Sequence, residues 1–89
     1  MLSAREARIR TENNKIYKVF IKHVEKHILM AIETGQYAVD IASRILGDYD
    51  DLIEVPKEVM NIAAEELEKI GYKCSVIEHL QVLRISWEV

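Results

Sequence analysis

The stretch KIYKVFIKHVEKHILMAIETGQYAVDIA, residues 15–42, changes its hydrophobic period partway along. From Lys15 to Thr34 the apolar residues recur at helical spacing. After Gly35 and Gln36, Tyr37, Val39 and Ile41 alternate with Ala38, Asp40 and Ala42. A period near 3.6 is a helix and a period of 2 is a strand, so the glycine marks a helix-to-strand step. Upstream, Ser3-Ala-Arg-Glu6 is a capping box, with Leu2 and Ala7 as a weak hydrophobic staple, so the helix begins at residue 3 and runs to 34. Asn13-Asn14 is the one place inside it where the pattern predicts a break or bend.

Downstream, Ser43-Arg-Ile-Leu46 is read as a short helical turn ended by Gly47, and 47–55 as an acidic loop. Pro56 is placed at the first helical position of a second helix, 56–70, with Val59, Ile62, Ala63, Leu67 and Ile70 as its apolar stripe and Gly71 as its stop. Residues 72–77 form a strand, 78–80 turn the chain, and 81–89 form the last strand, so 72–88 is a hairpin. The order is α-β-α-β-β. The expected fold class is α+β, a single domain over 1–89. Its three-stranded sheet, antiparallel or mixed, would be packed by helices on one face.

Laid out at 100° per residue, the apolar residues of the long helix cover an arc of about 220°. Packing on one sheet needs little more than ~100°. A chain of 89 residues also buries only a modest share of its surface, about 60% at this size. Both points predict a homodimer through the long helix. One cysteine, Cys74, permits no disulfide within the chain, which fits a reducing compartment. MLSAREARIR has no apolar signal core, and no apolar run is long enough for a membrane span, so a cytoplasmic location and no membrane partner are expected.

Charge is unevenly placed. Residues 1–35 hold seven Lys/Arg and four Asp/Glu, a net of +3, whereas 36–89 hold five and eleven, a net of −6. Acidic character repels phosphate backbones, so no direct nucleic-acid partner is expected and a basic protein surface is. The candidate docking segment is GDYDDLIEVPKE, residues 47–58. Its carboxylates Asp48, Asp50, Asp51, Glu54 and Glu58 surround Tyr49, Leu52 and Ile53, an apolar anchor ringed by charge. Part of the acidity also serves the following helix N-terminus. The segment fails as a calcium loop, because Ile53 and Val59 stand where the glycine and the terminal glutamate would be needed.

His23 and His27 have the i, i+4 spacing of a helical metal pair, but Val24 stands where a zinc hydrolase would have glutamate. The bland reading is two rings at the edge of an apolar arc, and in a dimer seam their protonation would weaken association below about pH 6. Cys74 has no recognisable base beside it, and the glycines build no phosphate loop. No catalytic residue, metal or cofactor is expected. A second reading is sequestration of a signalling nucleotide, with Arg84, Tyr72 and Trp87 as candidate groups.

AREARIRTENN at 4–14, GQYAVDI at 35–41, ELEKIGYK at 66–73 and LRISW at 83–87 together resemble small early proteins of lytic, Bacillus-phage-like bacteriophages. The resemblance spans nearly the whole chain. It implies the same α+β layout and a non-enzymatic role, binding and inhibiting a host protein such as a DNA-binding one.

Overall fold

A computed structural model describes residues 1–47, 49 and 51–88. The first helix, α1, spans Ala4–Glu33. Ser3 caps it, its Oγ accepting from the Glu6 N–H at 3.1 Å. At the other end Gly35 takes a φ of +76°, and the N–H groups of Gly35 and Gln36 donate back to the carbonyls of Ile32 and Ala31. That is a Schellman closure, which a side chain at Gly35 would strain. The helix runs unbroken through Asn13-Asn14, against the expected bend. Two poor helix formers lose to the strong ones around them, because propensity differences are small beside a continuous hydrogen-bond ladder.

Strand β1 (Ala38–Ala42) follows, then β2 (Arg44–Leu46), β3 (Leu52–Glu54), helix α2 (Lys57–Lys69), β4 (Lys73–Ile77), a 3₁₀ turn at Glu78–Leu80 and β5 (Val82–Ser86). The main sheet has the order β1-β5-β4 and is antiparallel throughout. β2 and β3 form a separate antiparallel pair. The fold is α+β.

Two expectations for 43–55 are corrected. Residues 44–46 are strand, not helical turn, and 47–55 is not simply loop: β3 lies within it and Val55 is buried. Ser43 is the reason. The inward residues of β1 and β2 are Val39, Ile41, Ser43 and Ile45, an alternation continuous in burial but interrupted in hydrophobicity by one serine. Ser43 is where the strand changes partner. Its N–H donates to the Gln81 carbonyl, and its own carbonyl accepts from the Val55 N–H. On one side the chain pairs with β5, on the other with β3. Pro56 is also displaced by one position: it is the N-cap, in an extended conformation, and α2 starts at Lys57.

The core lies between the sheet and the helices. Phe20, Val24, Ile28 and Ala31 of α1 and Val59, Met60, Ala63, Ala64 and Leu67 of α2 meet Ile41, Leu83 and Ile85 of the sheet. Ile45 and Val55 extend this cluster under the hairpin. The opposite sheet face carries Ala38, Asp40, Ser75, Arg84 and Ser86, all but the half-buried Ser86 exposed, with Arg84 clasping Asp40 at 2.9 and 3.2 Å. That contact holds the Asp40 carboxyl below its usual range. The first fifteen residues are exposed except Asn13, which is half-buried, so the start of α1 reaches beyond the body.

Candidate functional site

The acidic segment is mounted on the β2–β3 hairpin. Register pairs Arg44 with Glu54, Ile45 with Ile53, and Leu46 with Leu52. Residues on one face of such a pair share their environment. Ile45 is buried and Ile53 half-buried against the core, which fixes the hairpin to the body. The other face carries Leu46, 60% exposed, and Leu52, 70% exposed. At the tip, Tyr49 is 92% exposed.

Gly47 closes the loop. Its N–H donates to the Asp51 carbonyl at 2.8 Å. A Cβ there would lie 2.6 Å from Ile53 Cδ1 and 2.7 Å from Asp51 Oδ1. A glycine therefore avoids a close contact with two side-chain ends of the returning segment.

Of the residues expected at the site, Tyr49, Asp51, Leu52, Glu54 and Glu58 are all exposed. Asp48 and Asp50 lie outside the described residues. Ile53 is placed apart from the others, turned inward by the period-2 alternation that leaves Leu52 and Glu54 outward. Leu46 is an exposed apolar residue beside the segment that the sequence pattern did not single out. Once Ser43 is seen as an inward strand residue, Leu46 falls outward and directly across from Leu52.

Beneath the hairpin is a cleft of about 480 Å³ lined by Glu54, Val55, Lys57, Met60, Glu78 and Gln81, among others. Lys57 forms an ion pair with Glu78 that ties the start of α2 to the 3₁₀ turn. Ser43 Oγ donates to Gln81 Oε1 at 3.4 Å, so the buried hydroxyl is already engaged, though weakly.

The remaining candidates are dispersed. Arg84 is on the outer sheet face, paired with Asp40, whereas Tyr72 and Trp87 stack edge to face at 6.0 Å and pack on the core. These three do not converge on one ligand. His23 and His27 lie 4.1 Å apart between ring centroids, and His27 Nδ1 is 3.0 Å from the His23 carbonyl oxygen, so a backbone contact occupies that nitrogen. Burial, then the His27 and Lys26 charges, push His23 below its usual pKa. Among the described residues no group of three or more His, Cys, Asp or Glu side chains is arranged to hold a metal ion. Burial pushes the Cys74 thiol up, away from the thiolate form a nucleophile needs. No helix among the described residues is long and apolar enough to cross a membrane.

No family model, no curated protein and no solved structure matches the chain.

Proposed function

We propose that this protein acts by docking onto a basic surface of another protein through the β2–β3 hairpin. One observation carries the reading: Leu46, Tyr49 and Leu52 project from a hairpin whose opposite face is fixed in the core. Large apolar side chains gathered on a rigid support mark interaction surfaces, and tyrosine is a frequent anchor. Asp51, Glu54 and Glu58 are exposed around them and set the sign of the partner. In the setting that the phage resemblance implies, the partner is a host protein and docking inhibits it, with no catalytic step. The proposal includes a homodimer through α1, because Ile9, Leu29, Met30 and Ile32 stay exposed on that helix in the single chain.

The test is capture from bacterial lysate at ~50 and ~300 mM salt, a range over which screening of exposed charge changes strongly. Wild type is compared with Tyr49→Ala/Leu52→Ser. These side chains are exposed, so circular dichroism of the variant should match wild type. One basic protein retained by wild type, lost with the anchors and weakened by salt supports the reading. A partner held equally by both proteins moves the site elsewhere.

A further inference from the structure

The helical stripe that buries Val24, Ile28 and Ala31 continues toward the N-terminus as Tyr17, Asn14, Asn13 and Arg10. The spacing of those four, i, i+3, i+4, i+7, is the spacing of a core-facing stripe. Here it carries a guanidinium, two carboxamides and a phenol. A stripe that merely met water would be better filled by Lys or Glu, which favour the helix, than by adjacent asparagines, which do not. The helix nevertheless keeps both without a break.

These residues border one open groove, and Arg10 and Asn14 among them are exposed. Arg10, Asn13, Asn14 and Tyr17 line one wall of a groove of about 490 Å³, and Ile62 and Glu66 of α2 line the other. Asn13 and Tyr17 are half-buried in it. Burial and the facing Glu66 carboxylate raise the Tyr17 phenol above its usual pKa. Glu66 also accepts from Lys69 at 3.1 Å, a contact that leaves further acceptor sites on the carboxylate free.

The groove volume is within the range of about 300–1,000 Å³ usual for small-ligand sites. Each lining group then selects a ligand feature. Arg10 is a phosphate donor, on a segment of net +3 charge. Tyr17 and Ile62 offer a ring face and an aliphatic face for a planar base. Asn13 and Asn14 offer both donors and acceptors, as base edges and ribose hydroxyls require. The Glu66 carboxylate presents two acceptor oxygens, so it favours a base that shows two adjacent N–H donors, which guanine does at N1 and N2.

We infer that the groove between α1 and α2 binds a guanine nucleotide, with phosphate on Arg10, the base between Tyr17 and Ile62, and its N–H edge on Glu66. This site is separate from the hairpin and does not depend on protein docking there.

The test is isothermal titration of the full chain with GMP, AMP, UMP, guanosine and inorganic phosphate at ~50 mM salt, on wild type, Arg10→Ala and Glu66→Gln. Both substituted side chains are exposed, so unchanged circular dichroism verifies the fold. GMP should bind wild type more tightly than AMP or UMP. Arg10→Ala should weaken GMP about tenfold and leave guanosine unchanged. Glu66→Gln should weaken GMP while leaving AMP within about twofold. Absence of heat from every nucleotide up to millimolar concentration overturns the inference. So does phosphate binding as tightly as GMP, or GMP affinity indifferent to both substitutions.

Discussion

Ser43 stands where a β-branched residue would simply continue a strand, and its environment explains why serine suffices. Its backbone holds the junction through bonds to Gln81 and Val55, while its hydroxyl makes only the long contact to Gln81 Oε1. Ser43→Val should therefore keep the fold, with the urea midpoint at or above wild type and a gain no larger than about 1 kcal/mol. The position borders the cleft, so room exists for the two methyl groups. A loss of roughly 2 kcal/mol or more, the cost of an unsatisfied buried group, would mean the hydroxyl holds the junction. Gly47 gives the opposite expectation. A methyl group there meets Ile53 Cδ1 and Asp51 Oδ1. Both are side-chain ends that can turn, so Gly47→Ala should cost about 1 kcal/mol, the low end for overpacking. That loss should appear in urea unfolding together with weaker partner capture, because Ile53 anchors the hairpin.

At the level of elements, α1 divides into two parts with different reasons to be helical. Its second half is held by Phe20, Val24, Ile28 and Ala31 in the core. Its first three turns have almost no tertiary cover and depend on the Ser3 cap and on propensity. Short helices without packing are marginal in water. Amide exchange should therefore be fast over residues 4–12 and slow over 20–31. Ser3→Ala, worth about 1 kcal/mol to a helix end, should lower helicity and leave the global unfolding midpoint nearly unchanged. Phe20→Ala should act oppositely, costing about 3–5 kcal/mol of global stability. Protection of residues 4–12 equal to that of 20–31 would show that a partner copy covers the arm. The same contrast explains what could be read from sequence. α1, α2 and the β4–β5 hairpin carry long periods and clear stops, so their existence is visible in the chain. β2 and β3 are three residues each, too short for a period to show, and the one residue that links β2 to the alternation of β1 is polar. The residues proposed for docking are visible in sequence as a composition, acidic with interspersed apolar groups. Their division into outward Leu52 and inward Ile53, and the pairing of Leu52 with Leu46, depend on a register that only the hairpin supplies.

Across the whole molecule, exposed charge and half-buried histidine make it sensitive to salt and to pH separately. The carboxylates that would meet a basic partner are exposed, so docking should fade with salt. His23 on α1 responds to pH instead. His23 has a folded-state pKa below the 6.5 of an unburied imidazole, through burial first and then the His27 and Lys26 charges. A lowered histidine pKa means that the unfolded chain binds more protons than the folded one in that window. Stability therefore rises with pH there, and falls as pH drops from about 6.5 through the lower folded value. His23→Gln removes the group and should flatten the profile between pH 7 and 5, measured as the urea midpoint at each pH. The proposed homodimer adds a second readout. Should α1 pair with α1 of a second copy over the His23–Met30 stretch, burial of His23 deepens, and sedimentation at pH 7.5 and 5.5 should show dimer giving way to monomer in wild type but not in His23→Gln. Dissociation that is equal in both proteins would exclude His23 from the seam. A monomer at both pH values would exclude the seam itself, leaving the exposed Met30 and Ile32 for another partner.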